Sequence, residues 1–237
     1  MNIAIIGYGK MGKAVKNIAK MRGHSILLCY DQSPHNHILK NIDVVIEFSQ
    51  PDSAFNNVKF CIEKGIPTVC GTTGWLDKIG DIKKICKEKK GSFLYSSNFS
   101  IGMNIVYEIN RKLSKLLSLY SNEYKITIEE IHHKNKLDQP SGTSISLAND
   151  IINSHMKKNW ILGKSNNHDC ISIISKRFSE EVGTHTITFH SNIDDIKIQH
   201  KSFNRNSFAL GAVIAAEWIK NKIGFFSMKE VLKINGN

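Results

Sequence analysis

Apolar and polar positions follow two textures along the chain. Over the first hundred residues, short apolar runs are separated by stretches with helical spacing. Ile3–Ile6 reads as a buried strand, Met11–Met21 as a helix, and Ser25–Tyr30 as a second strand ending at Asp31. Asp43–Phe48 reads as a strand, Ser53–Lys64 as a helix, Pro67–Cys70 as a strand, Leu76–Lys90 as a helix and Ser92–Tyr95 as a strand. Strands that alternate with crossover helices build a parallel sheet.

The texture then changes. Gly102–Leu119 carries Ile105, Ile109, Leu113, Leu116 and Leu117 near helical spacing. Tyr124–Ile131 reads as a strand, residues 132–143 as a polar loop with Pro140 and Gly142, and Ser144–Met156 as a helix. Cys170–Ser175, His185–His190 and Ile196–His200 read as antiparallel strands, and Ser207–Lys220 as a last helix. This pattern predicts a doubly wound parallel sheet in residues 1–102, completed by 207–237, and a mixed α+β unit in residues 103–206.

Gly7-Tyr8-Gly9-Lys10-Met11-Gly12 fits G-x-G-x-x-G between the first strand and the first helix, with Asp31 at the end of the second strand. In that context Gly7 permits a tight turn, Gly9 lets a pyrophosphate approach the backbone, and Gly12 lets helix and strand pack closely. Helix amides and dipole favour the anion, and Asp31 can accept hydrogen bonds from ribose hydroxyls. The fold class expected is therefore α/β, a Rossmann-like doubly wound sheet plus a second α+β domain with a mostly antiparallel sheet. A glycine-rich turn without a ligand is the alternative. Gly71, Thr72, Thr73 and Gly74 follow one strand, and Ser96, Ser97, Asn98 and Phe99 follow another. Small polar residues at carboxyl strand ends can bond ribose, phosphate or carboxamide. Glu47-Phe48-Ser49 is a weaker candidate of the same kind.

The loop Glu129-Glu130-Ile131-His132-His133-Lys134-Asn135-Lys136-Leu137-Asp138-Gln139-Pro140-Ser141-Gly142-Thr143 is the most informative segment, with two histidines and two lysines within five residues. Histidine exchanges protons near neutral pH, and Lys136 offers charge or a proton. Ser141, Gly142 and Thr143 put amides and hydroxyls at a helix start, where anions bind. Adjacent histidines in a strand point to opposite faces and no H-E-x-x-H spacing is present, so no metal site is expected. A solvated polar loop with a routine cap is the bland alternative.

Charge and cysteine content narrow the class. The chain has 237 residues and a net charge of +11, but Lys supplies 28 of the 32 basic residues and they are scattered. Arginine is the residue suited to base and phosphate contacts, so no nucleic-acid partner is expected. No apolar run approaches the ~20 residues of a membrane span, and the start lacks a leader pattern. Five cysteines without Cys-x-x-Cys spacing point to a reducing compartment, so a cytoplasmic location is expected.

The histidine–lysine loop resembles the signature of the 4-hydroxy-tetrahydrodipicolinate reductase family, close to E-x-H-H-x-x-K-x-D-x-P-S-G-T. The resemblance extends to the glycine turn, GTTG at 71–74, SSNFSIGMN at 96–104, VGTHT at 182–186 and FALGAVIAAEW at 208–218. It differs in a shorter glycine turn, in Thr184 where an acidic residue is expected, and in Asp31-Gln32, where an acidic residue is often followed by Arg. The resemblance implies reduction of 4-hydroxy-tetrahydrodipicolinate by NADH or NADPH with loss of water. It implies that His132 is the acid/base residue and Lys136 the proton donor, with His133, Gly142 and Thr143 on the substrate. It implies that residues 103–206 bind substrate and build a homotetramer. Asp31 would repel a 2′-phosphate and Gln32 is neutral, so NADH is expected to serve at least as well as NADPH, with His35 or Lys40 as the cations that could reverse this. Another two-domain amino-acid dehydrogenase and a non-catalytic dinucleotide-sensing module are the alternatives.

Overall fold

The computed structural model describes residues 1–31, 40–134, 136, 138–178 and 181–234. It divides into two compact units, Met1–Ile101 with Arg205–Asn237, and Gly102–Asn204.

The first unit runs β1 (Asn2–Ile6), α1 (Lys10–Met21), β2 (Ser25–Tyr30), β3 (Val44–Glu47), α2 (Pro51–Glu63), β4 (Thr68–Cys70), α3 (Ile79–Glu88) and β5 (Ser92–Tyr95). The chain leaves through α4 (Ile101–Leu117), β6 (Lys125–His133), α5 (Gly142–Asn153), β7 (Asn159–Leu162), β8 (Cys170–Phe178), β9 (Gly183–His190) and β10 (Asp195–Ser202). It returns to the first unit as α6 (Asn206–Ile219), β11 (Gly224–Phe226) and α7 (Met228–Val231).

Six strands of the first unit pair in parallel in the order β11-β5-β4-β3-β1-β2. The central strands are covered on both faces, which is why Ile3–Ile6 and Val44–Ile46 are continuously apolar and buried. Ile3, Ile5, Val44, Ile46 and Val69 face α1 and α6, whose Val15, Ala19, Ala209, Ala212, Val213 and Ala216 complete that core. Small residues let α6 lie close to the sheet. A Cβ on Gly211 would collide with the carbonyl of Phe99. Arg22 and Glu217 form a bidentate pair at 2.8 Å between the end of α1 and α6. The pair is exposed, so apolar packing contributes more than it does.

The second unit is a five-stranded sheet in the order β10-β9-β6-β8-β7. Its antiparallel ladders, β10/β9 and β9/β6, are the longer part; β6/β8 and β8/β7 run parallel. Ile126, Ile128, Ile171, Ile173, Ile187 and Phe189 pack against Leu147, Ala148 and Ile151 of α5 and Met103 and Val106 of α4.

Several elements differ from the sequence pattern. Segment 170–175 is not an antiparallel strand: β8 runs parallel to both neighbours, because the chain leaves β6 through α5 rather than a hairpin. Strand β6 continues through His132 and His133, two residues into the expected loop, and α5 starts at Gly142 rather than Ser144. The short β7, β11 and α7 are additions. Three or four residues carry too little periodicity to register as elements.

Candidate active site

Glycine and polar residues gather where the first unit's strands end. Gly7 has φ +87, its amide donates to Tyr30 O at 2.6 Å, and a Cβ there would collide with the backbone of Phe48. A Cβ on Gly12 would collide with the carbonyl of Gly7, so this position holds α1 close to the turn. Gly9 differs: a Cβ there would meet nothing within 4 Å. Packing does not demand this glycine, and the open space suits a ligand approaching the backbone. Gly9 is also the extended residue before α1, whose first turn holds Lys10, Met11 and Gly12. The Tyr8 amide donates to Asp31 Oδ1 at 2.5 Å, which joins the ends of β1 and β2. Gln32 and His35 lie outside the described residues, and Lys40 is exposed.

The parallel register brings the other predicted loops to the same edge. Gly71 N donates to Glu47 O at 2.9 Å and Ser96 N to Cys70 O at 3.2 Å. Thr72 is buried and its hydroxyl donates to Glu47 Oε2 at 2.7 Å, whereas Thr73 and Gly74 are exposed. Ser96 Oγ donates to Asn98 O at 2.7 Å, and Ser97 is exposed. The Phe99 ring is committed to packing, edge-on to Phe48 at 5.8 Å, so a ligand would meet its backbone. Sequence reasoning missed Lys13 and Lys16, whose Nζ atoms lie 6.0 and 5.0 Å from the Tyr8 ring centroid. Tyr8 lies before α1, so no helical pair spacing links it to either lysine in the sequence.

In the second unit the polar cluster surrounds the end of β6. Alternation along the strand turns Glu130 and His132 to the buried face and His133 to the opposite one. The two histidines therefore do not share a face. Glu130 is 0% exposed and accepts from Ser175 Oγ at 2.7 Å, Ser144 Oγ at 2.8 Å, Ser141 N at 3.0 Å and Arg177 Nη2 at 3.2 Å. Burial alone would raise its pKa. The hydrogen bonds from Ser141, Ser175 and Ser144 outweigh burial and hold the carboxyl at about 2. His132 is buried edge-on to His185, with ring centroids 5.0 Å apart. Burial lowers the pKa of His132 to about 4 and that of His185 to about 3, so both are neutral near pH 7. The Nδ1 atoms of His132 and His133 have no hydrogen-bond partner among the described residues.

Lys136 Nζ pairs with both Asp138 oxygens, at 2.7 and 2.9 Å. Ser141 caps α5 through Ser144 N at 3.3 Å, and a Cβ on the exposed Gly142 would meet nothing within 4 Å. Thr143 occupies the next position of the first helical turn. Thr184 is buried, and its hydroxyl donates at 2.8 Å to Glu181, which also pairs with Lys201 at 3.0 Å. Glu130, Ser144, Arg177 and His185 were missed as a group, because their convergence depends on the pairing of β6, β8 and β9. One ligand atom each of Glu130, His132 and His185 lies within 4.8 Å of the others. Four donors already occupy the carboxylate, and Arg177 and Lys136 add positive charge beside it.

A parallel sheet with this glycine turn, in one chain with a second unit that carries a polar histidine–carboxylate cluster, is the build of a dinucleotide-dependent oxidoreductase. Comparison with known proteins agrees. Residues 1–99 match the model of the dihydrodipicolinate reductase N-terminus and residues 102–232 that of its C-terminus. The chain belongs to the dihydrodipicolinate reductase family. It is 47% identical over 235 residues to 4-hydroxy-tetrahydrodipicolinate reductase of Christiangramia forsetii, covering 98% of both chains. It is 38% identical to the enzyme of that name from Buchnera aphidicola, covering 83% of this chain and 75% of the relative. The fold is that of dipicolinate-bound dihydrodipicolinate reductase from Paenisporosarcina sp. TG-14, with a TM-score of 0.76 at 21% identity over 97% of this chain and 98% of that one.

Proposed function

We propose that this chain reduces 4-hydroxy-tetrahydrodipicolinate to tetrahydrodipicolinate with NAD(P)H and loss of water, in diaminopimelate and lysine biosynthesis. The observation that carries the reading is the cluster of Glu130, His132, Lys136 and the Ser141-Gly142-Thr143 helix start, in a chain 47% identical to a relative of that name over its whole length.

The first unit's residues fit the cofactor. Gly7, Tyr8, Gly9, Lys10, Met11 and Gly12 would hold the pyrophosphate, where Gly9 leaves the backbone open. Asp31 would receive the adenosine ribose, and Gly71, Thr72, Thr73, Ser96, Ser97, Asn98 and Phe99 the remainder. NAD(P)H, when bound, supplies the hydride. In the second unit, a substrate with two carboxylates calls for cations and oriented amides. Ser141, Gly142 and Thr143 provide amides and hydroxyls, and His133 adds a donor. Lys136 gives up a proton at Nζ. His132, neutral through burial, accepts and returns one on its ring.

Asp31 beside a neutral Gln32 supports use of NADH at least as well as NADPH. Exposed Leu116, Leu119, Ile193 and Phe203 on the second unit support a homotetramer built through it. Five free cysteines support work in the cytoplasm. Product analysis tests the reaction. After incubation with NADH and freshly generated substrate, tetrahydrodipicolinate is the expected product, and unchanged substrate beside intact cofactor contradicts the reading.

A further inference from the structure

A carboxylate taken fully out of water costs several kcal/mol unless donors surround it. Glu130 is surrounded from three parts of the second unit. Ser175 and Arg177 reach it from β8, Ser141 N from the residue capping α5, and Ser144 Oγ from the first turn of that helix. Ser144 Oγ also lies 3.2 Å from His185 Nδ1 on β9. A hydroxyl has one hydrogen, and Ser144 gives it to Glu130. The same oxygen then accepts from His185, which assigns the proton of that ring to Nδ1. The His185 ring in turn is the surface against which His132 rests.

We propose that Glu130 is a positioning residue, which fixes the start of α5 and, through Ser144, the His185 ring that seats His132. The proposal rests on reading His132 as the acid/base residue and the start of α5 as a carboxylate site. Its physical content is that one anion sets two distances at once. Without it, the Ser141 amide and the His185 ring lose their common anchor, and a misplacement of about 1 Å at a reacting group costs roughly 10²-fold in rate.

The electrostatic consequence has a sign. His132 faces Glu130 on its own strand, Lys136 and Asp138 from the following loop, Arg177 from β8 and His185 from β9. His185 also feels His200 on β10. Glu130 and Asp138 raise the proton affinity of His132; Lys136 and Arg177 lower it. Removing the Glu130 charge therefore moves the His132 titration to lower pH.

Two variants of the full chain separate positioning from mere folding. Glu130→Gln is expected to lower kcat roughly 10²-fold, to raise KM for the substrate, and to move the acidic limb of the kcat/KM profile to lower pH. NADH affinity is expected to stay unchanged. Should this variant not fold, Ser144→Ala keeps the Glu130 charge and three of its four donors, and cuts the tie between Glu130 and His185. It is expected to lower kcat about tenfold and to change the ring-nitrogen chemical shifts of His185, which in the wild type report the Nδ1–H tautomer. The tautomer is read by NMR whether or not the chain turns over. An inactive wild type with the Nδ1–H tautomer, lost in Ser144→Ala, supports the positioning network and sinks the functional reading alone. A wild-type tautomer with the proton on Nε2, or variants that keep kcat, KM, pH limb and ring shifts, overturn the proposal.

Discussion

The Nδ1 atom of His132 lies 3.9 Å from Oε2 of Glu130, two residues back on the same face of β6. That is too far for a hydrogen bond and near enough for the charge to matter. The carboxylate spends its acceptors on Ser141, Ser144, Ser175 and Arg177, and the imidazole nitrogen has no hydrogen-bond partner among the described residues. On the proposed reading of His132 as the acid/base residue, this leaves its ring able to respond to substrate.

This arrangement makes the fold sensitive to acid. His132 and His185 hold pKa values of about 4 and about 3, against an ordinary value of 6.5. Between those limits the unfolded chain binds protons that the folded chain refuses, so stability falls as pH drops below about 6.5. Glu130 acts in the same direction: its contribution is complete above its ordinary 4.5 and is lost as pH falls through about 2. By about pH 4 the loss is on the order of 3 kcal/mol per histidine. Denaturant midpoints measured from pH 7.5 downwards should decline, and His185→Gln should flatten that decline. A flat wild-type profile contradicts the burial of these rings.

His132→Gln should lower turnover by roughly 10²–10⁴-fold, the usual worth of a positioned acid/base. Lys136→Ala should likewise lower turnover. In both variants the affinity for NADH, measured by fluorescence titration, should remain near that of the wild type. Wild-type turnover in both variants would remove this loop from the chemistry.

Gly211→Ala tests how α6 seats on the first unit. Alanine is the better helix former by about 1 kcal/mol. The added Cβ nevertheless meets the Phe99 carbonyl, and overpacking of this kind costs roughly 1–3 kcal/mol. Net destabilisation is expected, with a lower melting temperature and weaker cofactor binding, because Phe99 belongs to the loop after β5. A variant as stable as the wild type contradicts the close approach.

The proposed role of Asp31 in cofactor choice is tested by kinetics. The ratio of kcat/KM for NADH to that for NADPH should be at least one in the wild type, and Gln32→Arg should shift it toward NADPH. A strong wild-type preference for NADPH would point to a cation near Asp31. Lys13 and Lys16 beside Tyr8 are the ones that this structure adds to the candidates.

The alternating pattern predicts the first unit because buried parallel strands are continuous apolar runs; Ile3–Ile6 and Ser92–Tyr95 fall almost on their observed bounds. Direction and partnership are less accessible. Nothing local to Cys170–Phe178 states that it runs parallel to β6, and three residues suffice for β11 once β5 is there to pair with. Chemistry follows the same division. His132, Lys136 and Ser141 stand in one readable segment, whereas Ser144 reaches His185 across 41 residues and Ser175 reaches Glu130 across 45. Contacts made by sheet pairing leave no periodic trace in either segment.

The central claim is tested most directly by a coupled assay. The synthase that makes 4-hydroxy-tetrahydrodipicolinate is run to generate it in situ, this chain and NADH or NADPH are added, and loss of the reduced cofactor is followed by absorbance. Oxidation that requires the synthase, both of its substrates and an intact His132 is the predicted result. Reduced cofactor that binds to the chain but persists through complete synthase turnover would contradict it.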